Sequence, residues 1–348
     1  MVKIAGFYHV GSENPYCKLF YNALSSNGVQ TIYGESFNDR WILTQKGSID
    51  WLHVHWPEGF WRYSQRQVGG GFRGLFAFWL LLRKVRRQGF SLAWTVHNLS
   101  HHEGTSAIDR LGYKLLYQYC DLLICHSEHT KNEILQGWHP KAKIVVMPHG
   151  NYDGVYPEAD VKELILEELG LHPDIPVVSC IGVMRNYKGL DIAVQAALRA
   201  QGEYQLLIAG KPHPEFPLDD LLAAAATNKN IVVVPESLSE KQFSNMYKVT
   251  DVALLPYRNV TGSGALLTAL TFGCGVVSSD LPYFREIIGD QPNAGMLFKI
   301  GDSQSLRHAI KEYLAIPSET RHQAALDLAN IFAWSNVVKP VADAFKER

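Results

Sequence analysis

Long apolar runs are missing from this sequence of 348 residues; the longest, GLFAFWLLL at 74–82, is much too short to span a bilayer. The N-terminal stretch MVKIAGFYHVG is a short apolar run without the basic segment and cleavage site of a secretory signal. Net charge is nearly absent, at −1, so the chain as a whole has no attraction for nucleic acid, and none is expected as a partner. The five cysteines (Cys17, Cys120, Cys125, Cys180, Cys274) are odd in number and contain no Cys-x-x-Cys pair. Set mostly within apolar runs, they read as small buried hydrophobes in a reducing compartment. A cytoplasmic protein is expected.

What is present is the composition of a globular protein, 47% apolar and 19% charged, in a chain too long for one efficient core. Strand-like runs recur nearly end to end: KIAGFYHV, VQTIY, IDWLHVHW, SLAWTVH, DLLICHS and KIVVMPH. Helical patterns separate several of them. After Asn14, a helix N-cap candidate followed by Pro15, residues Tyr16, Leu19, Phe20, Ala23 and Leu24 recur at helical spacing up to Gly28. A polar helical stretch, DVKELILEELGLHPDIP, intervenes, and the pattern restarts with VVSCIG, YQLLIAG, IVVVP, DVALLPY and GVVSSD. Alternation of strands with helices predicts an α/β fold of two doubly wound domains. We place them at 1–160 and 161–331.

Open parallel sheets bind ligands beyond the carboxyl ends of their strands. Gly11, His55, His97, His126, His149, Arg185, Gly210 and the loop 261–264 all follow strands. In GVMRNYKGLDIAVQAALRA, Arg185 and Lys188 fall in a turn that opens a helix, where backbone N–H groups already favour an anion. A guanidinium fork and an ammonium there suit a diphosphate. The competing reading is two solvated surface cations.

These segments resemble those of the GT-B glycosyltransferases, in particular the large retaining group related to glycogen and sucrose synthases and bacterial mannosyltransferases. CDLLICHSEHTKNEI is similar to the group's strand-and-helix signature, KIVVMPHGNYDGVYP to its interdomain crossover and GVMRNYKGLDIAVQAA to its donor-phosphate segment. DVALLPY is similar to the strand before its sugar-binding loop, and FAWSNVVKPV to the C-terminal helix that returns to the first domain, here 332–348. The resemblance implies two Rossmann-like domains facing a cleft, the first for a glycan or lipid-linked saccharide acceptor, the second for a UDP- or GDP-sugar. It implies no catalytic metal and no other cofactor. It assigns Arg185 and Lys188 to the donor phosphates, His97 to the donor sugar or its phosphate, and Gly11 to a loop that passes close to donor and acceptor; Gly210, at its strand end, is expected on the donor side. His101, His102 and Glu103 follow His97 in its loop and are expected on the acceptor side.

His53 and His55 share one face of a strand by its two-residue period. With His97 a metal site is conceivable, but nothing in the spacing fixes ligand geometry. His55, Trp56 and Glu58 are better read as acceptor contacts, an indole face for stacking and a carboxylate for hydroxyls. No acid occurs between Glu58 and Glu103, whereas Arg62, Arg66, Arg73, Arg83, Lys84, Arg86 and Arg87 do, interleaved with Trp61, Phe72, Phe76, Phe78 and Trp79. Segment 61–90 reads either as a surface held against anionic lipid on the inner face of the plasma membrane or as an ordinary helix with one core face.

The family's sugar-binding loop usually carries two glutamates separated by seven residues; here those positions are Val260 and Thr268, and Thr268 is expected to make one weaker hydrogen bond towards a ribose. TGSG retains Thr261, Gly262, Ser263 and Gly264, which offer backbone N–H groups and neutral hydroxyls to a phosphate or sugar. Glu286 matches another family carboxylate position. Two functions follow: an active transferase in polysaccharide biosynthesis with a divergent donor loop, or a catalytically silent binding partner in a glycan assembly complex. A sugar-nucleotide epimerase on a similar fold matches the motifs less well. Resemblance favours retention of anomeric configuration, while an inverting route needs a base such as Glu58 or Glu103.

Overall fold

The computed structural model describes residues 1–7, 15–35, 37–62, 70–99 and 106–347. Two compact units divide the chain: residues 1–150 with 334–348, and residues 151–333. Segment 151–160, grouped in the sequence reading with the first domain, therefore clusters with the second unit.

The first unit is built on β1 (Lys3–Phe7), β2 (Gln30–Tyr33), β3 (Trp51–Val54), β4 (Ser91–Thr95), β5 (Leu122–Cys125) and β6 (Lys143–Val146). They form one parallel sheet in the order β2-β1-β3-β4-β5-β6. Both faces must be covered, which explains why β3 and β5 are buried at every residue instead of alternating. Trp61, Phe78, Trp94, Tyr113 and Tyr117 fill the core on one side. The C-terminal helix Lys339–Lys346 belongs to this unit; the Trp51 indole N–H donates to the Phe345 carbonyl at 3.1 Å, and Phe345 is buried edge-on against Trp51.

The second unit repeats the scheme with β7 (Val177–Ile181), β8 (Gln205–Ala209), β9 (Ile231–Val234), β10 (Val252–Leu255), β11 (Val276–Ser279) and β12 (Gly295–Phe298). The parallel order is β12-β11-β10-β7-β8-β9. The sequence reading did not anticipate β12: GMLF has no β-branched residue and no alternation to mark it. The polar stretch after Asp160 forms the helix Lys162–Leu169, stopped by Gly170 in the left-handed region. All five cysteines are buried and none forms a disulfide.

Strand order reverses at β1, which lies between β2 and β3, and at β7, which lies between β8 and β10. Such reversals splay the loops at the carboxyl edge and open a crevice for ligand. The segments following β3, β7 and β10 are therefore the places to look.

Candidate functional site

In the first unit, five histidines gather at the carboxyl edge. His53 lies within β3, His55 stands just beyond it, and His97, His126 and His149 follow β4, β5 and β6. The Tyr16 ring packs against four of them, with centroids 6.0 Å from His55, 5.1 Å from His97, 5.6 Å from His126 and 4.8 Å from His149. The Tyr21 hydroxyl bonds His53 Nδ1 at 2.8 Å and His55 Nε2 at 3.0 Å. His53 Nε2 meets the Thr95 hydroxyl at 2.8 Å, and His55 Nδ1 meets His97 Nε2 at 2.9 Å.

Burial, followed by repulsion from His97, pulls the His53 pKa down to about 3. Burial and neighbouring imidazoles likewise push His55 and His97 well below the usual histidine range. His149 falls to about 3 for the same reasons, and burial also lowers His126. The cluster is therefore neutral at physiological pH. Both ring nitrogens of His53 and His55 are taken up by these hydrogen bonds. No group of three or more His, Cys, Asp or Glu among the described residues is arranged to hold a metal ion.

Trp56 leaves β3 with φ +36°, a left-handed conformation unusual for a bulky residue. Its indole stacks on the His97 imidazole with ring planes 10° apart.

In the second unit the turn after β7 and the loop after β10 are clamped together. Gly189 has φ +65°, and a Cβ there would lie 2.0 Å from the Pro256 carbonyl oxygen, so only glycine admits the contact. Arg258 donates through its backbone N–H to the Tyr187 carbonyl at 2.7 Å and through Nη1 to the Asn186 carbonyl at 2.9 Å. Its Nη2 meets Asp191 at 2.7 Å. Arg185 and Lys188 flank this turn, both half-buried. Burial and the Arg185 charge outweigh Cys180 and lower the Lys188 ammonium to about 8. Its Nζ lies 5.9 Å from the Tyr257 ring centroid. Gly210 follows β8 with φ +140°, where a Cβ would lie 2.4 Å from the Gly182 carbonyl oxygen; the β7 and β8 turns thus touch backbone to backbone.

Residues 161–325 match the family model described as Glycosyl transferases group 1, and residues 72–151 match Glycosyltransferase Family 4. The chain belongs to the GT-B glycosyltransferases. A GDP-mannose:glycolipid 4-beta-D-mannosyltransferase from Xanthomonas campestris pv. campestris is 25% identical over 290 residues, 82% of this chain and 75% of the relative. The lipopolysaccharide core biosynthesis mannosyltransferase LpsB of Rhizobium meliloti (strain 1021) is 24% identical, over 68% of this chain and 65% of its own. Among solved structures, sucrose-phosphate synthase from Thermosynechococcus elongatus shares the fold with a TM-score of 0.75 at 16% identity, over 100% of this chain and 99% of that one. Anabaena HepE in complex with UDP-glucose shares it at 0.74 and 12% identity, over 100% of each chain.

Within this glycosyltransferase the residues of the loop after β10 have local duties. Ser263 is buried, and its hydroxyl oxygen accepts from Leu266 N–H at 3.2 Å, capping the helix Gly264–Thr271. Thr268, expected to reach towards a ribose, is 3% exposed and donates its proton to the Gly264 carbonyl at 2.8 Å. Thr261 and Gly262 are half-buried before the cap, and Glu286 is exposed on the helix Pro282–Ile288. Gly11, His101, His102 and Glu103 lie outside the described residues, as does Asn14.

Segment 61–90 divides. Trp61 and Phe78, read in sequence as part of one aromatic surface, are core residues, 0% and 2% exposed. The Trp61 indole N–H donates to Asp109, and the Arg62 guanidinium grips the same carboxylate at 2.8 and 2.7 Å. Burial raises the Asp109 pKa, but hydrogen bonds from Arg62, Trp61 and Ser106 outweigh it and hold the carboxyl well below its usual range. Phe72, Phe76 and Leu80 lie exposed on the helix Gly70–Arg87. Glu58 accepts a short hydrogen bond from the buried Tyr113 hydroxyl, which ties it to the core.

Sequence reasoning missed Tyr21, Thr95 and Arg258. Tyr21 joins two histidines more than thirty positions away, a link that no local spacing encodes. Arg258 carried a usable signal, a cation immediately before the segment TGSG.

Proposed function

We propose that this glycosyltransferase takes its sugar from a UDP- or GDP-sugar, delivers it to a glycan or lipid-linked saccharide, and does so with retention and without a metal. The observation that carries this reading is the pairing of Arg185 and Lys188 at the β7 switch point, in a turn locked to the donor loop by Gly189 and Arg258. As the donor bond breaks, negative charge grows on the leaving diphosphate, and cations already in place stabilise it without reorganising. His97, held by Trp56 and the histidine cluster, meets the donor sugar or its phosphate; Gly11, Gly210, Thr261, Gly262, Ser263 and Gly264 supply close backbone approach. The acceptor falls to Trp56, with His101, His102 and Glu103; His55, buried with both ring nitrogens bonded to Tyr21 and His97, supports His97 instead. Glu58 is the weaker acceptor contact, because Tyr113 already occupies it.

Retention lets the leaving phosphate assist deprotonation of the acceptor, so the histidines need not serve as bases. The Xanthomonas relative is named for a 4-beta product, so product configuration is the decisive measurement. Purified protein is screened against UDP- and GDP-sugars by thermal shift in EDTA, then the binding donor is supplied with lipid-linked saccharides. The anomeric coupling of the product is read by NMR. Donor binding followed by transfer with the donor's configuration supports the reading. Binding without hydrolysis or transfer makes the protein a silent partner; inversion removes the retaining mechanism.

A membrane-facing role is favoured by the exposed Phe72, Phe76 and Leu80, four residues apart and thus on one helix face, with Arg73, Arg83, Lys84, Arg86 and Arg87 on the same helix. No helix among the described residues is long and apolar enough to cross a membrane. We place the protein at the cytoplasmic surface of an anionic membrane, where a lipid-linked acceptor resides.

A further inference from the structure

One carboxylate joins two stretches of the first unit that lie far apart in sequence. Asp109 is 2% exposed and accepts five hydrogen bonds. Trp61 Nε1–H and Arg62 Nε–H reach Oδ1 at 2.9 and 2.8 Å, and Arg62 Nη2 reaches Oδ2 at 2.7 Å. The Ser106 backbone N–H and hydroxyl donate to Oδ2 at 3.1 and 2.8 Å. The Ser106 oxygen in turn accepts the Asp109 N–H at 3.1 Å, which completes a capping box at the start of the helix Ala107–Tyr119. A capping box needs only the Ser106 bonds. Trp61 and Arg62 come from the stretch after β3, so their bonds fix how that stretch sits on the helix.

Two further contacts repeat this docking. The Tyr113 hydroxyl donates to Glu58, and a Cβ at Gly112 would lie 2.6 Å from the Trp61 ring, so helix and indole touch directly. Positions 109, 112 and 113 share one helix face. At its other end the same stretch carries Trp56, stacked on His97 with ring planes 10° apart. The chain between His97 and Ser106 therefore has both its ends held by one support, residues 56–62. Taking the Asp109 carboxylate out of water offsets much of what its ion pair contributes, so packing alone would be served as well by apolar side chains. The fork of Arg62 on Asp109 adds a fixed distance and direction.

We propose that Asp109 is a positioning residue of the acceptor site: with Trp61 and Arg62 it fixes the far end of segment 98–105 to the stretch that carries Trp56, so that both acceptor-side segments are set by one anchor. The acceptor part rests on the function proposed above, which gives that side to Trp56, His101, His102 and Glu103; the anchoring does not. Asp109 and Arg62 act through these residues and touch no substrate. Their loss is therefore felt in recognition of the saccharide and not in the hold on the nucleotide, which falls to Arg185 and Lys188 in the second unit.

The test compares Asp109→Asn, Arg62→Ala and Arg62→Lys with wild type as full-length proteins, each with a thermal melt to establish folding. Without substrate, hydrogen exchange read by mass spectrometry should show the amides of 98–105 exchanging several-fold faster in Asp109→Asn and Arg62→Ala, with β3, β4 and β5 unchanged. Arg62→Lys keeps the charge but not the fork, and should fall between wild type and Arg62→Ala. With sugar nucleotide saturating, the KM for the saccharide should rise roughly tenfold in Asp109→Asn, the loss of one charge-assisted contact, while calorimetry gives UDP and GDP affinities within about twofold of wild type. Exchange of 98–105 unchanged in the folded variants overturns the anchoring. An unchanged KM despite faster exchange, or an equal fall in nucleotide affinity, overturns the role in acceptor positioning and leaves a purely structural pair. Should Asp109→Asn fail to fold, the Arg62 variants decide, since Arg62 is partly exposed and its replacement is more readily accommodated. If wild type transfers no sugar, the proposed function falls, and the exchange comparison still decides whether Asp109 holds the segment.

Discussion

Trp56 lies flat on His97, with ring centroids 4.2 Å apart. The contact accompanies a left-handed backbone at Trp56, φ +36°, which costs free energy unless its surroundings hold it. Stacking of this kind contributes about 0.5–1.5 kcal/mol beyond area burial. Trp56→Gly relieves the backbone but frees the imidazole. We expect unchanged or slightly raised thermal stability together with a several-fold loss in kcat, measured by steady-state transfer and thermal melts. A fully active Trp56→Gly enzyme would show that the indole does not position His97.

The two cations after β7 should separate by pH. Arg185→Ala and Lys188→Ala each lose a charge-assisted contact, worth about 1.5–3 kcal/mol, and calorimetry should show nucleoside-diphosphate affinity falling by one to two orders of magnitude. The Lys188 ammonium, lowered to about 8, loses its proton as pH rises through that value, so wild-type affinity should weaken there. Lys188→Arg keeps its charge and should flatten the profile. Unchanged binding in both alanine variants removes the phosphate assignment.

The buried imidazoles make stability depend on pH in a defined window. Unfolded, His53 and His149 titrate near 6.5, whereas folded they hold out until about 3. As pH falls below 6.5 the unfolded chain binds protons that the folded chain refuses, so stability drops; above 6.5 these groups contribute no slope. Each contributes up to about 1.4 kcal/mol per pH unit. Urea melts between pH 5 and 7.5 should show this decline before most carboxylates titrate, and His149→Asn should reduce it. A flat profile across that range contradicts a neutral buried cluster.

The sequence revealed this architecture because buried parallel strands declare themselves as continuous apolar runs such as VVSCI and LLIC, each followed by a polar turn. β12 was not legible, since GMLF lacks β-branched residues and draws its strand character from pairing with β11. The His53–Tyr21–His55 link was hidden because it joins a helix to a strand across the sheet edge. Trp61 looked like part of an aromatic surface until Asp109, far along the chain, supplied the acceptor that permits its burial. Composition shows which groups are available, but tertiary pairing decides which of them face a ligand.

The helix Gly70–Arg87 offers a direct test of membrane contact. Arg83 is stacked over Trp79 at 4.7 Å, and Arg86 reaches Asp121 only at 3.7 Å, so these cations are weakly committed within the fold. Joint replacement of Arg83, Lys84, Arg86 and Arg87 by glutamine should weaken sedimentation with phosphatidylserine vesicles, as should raising salt, at about 1 kcal/mol per cation near the surface. Phe72→Ser with Phe76→Ser should also weaken it, without the salt dependence. Equal vesicle binding by folded variants and wild type assigns this face another purpose.

The clamp between the β7 turn and the loop after β10 yields the sharpest prediction. Gly189→Ala places a Cβ 2.0 Å from the Pro256 carbonyl oxygen at a backbone angle that alanine avoids, so either the turn or the loop must shift. Arg258→Ala removes the guanidinium from Asn186 and Asp191 and leaves its backbone bond to Tyr187 in place, a gentler release of the same clamp. Neither substitution touches Arg185 or Lys188, but both free the turn that carries them. Misplacement by an ångström can cost about a hundredfold in rate. Gly189→Ala should therefore cost more transfer activity than Arg258→Ala, and both should weaken nucleoside-diphosphate binding less than Lys188→Ala does. Because Arg258 and Asp191 are substantially exposed, their ion pair adds little to global stability, and Arg258→Ala should melt close to wild type. If folded Arg258→Ala and Gly189→Ala both transfer sugar at the wild-type rate, the cations do not need the loop to hold them, and the donor phosphates must be positioned by other groups.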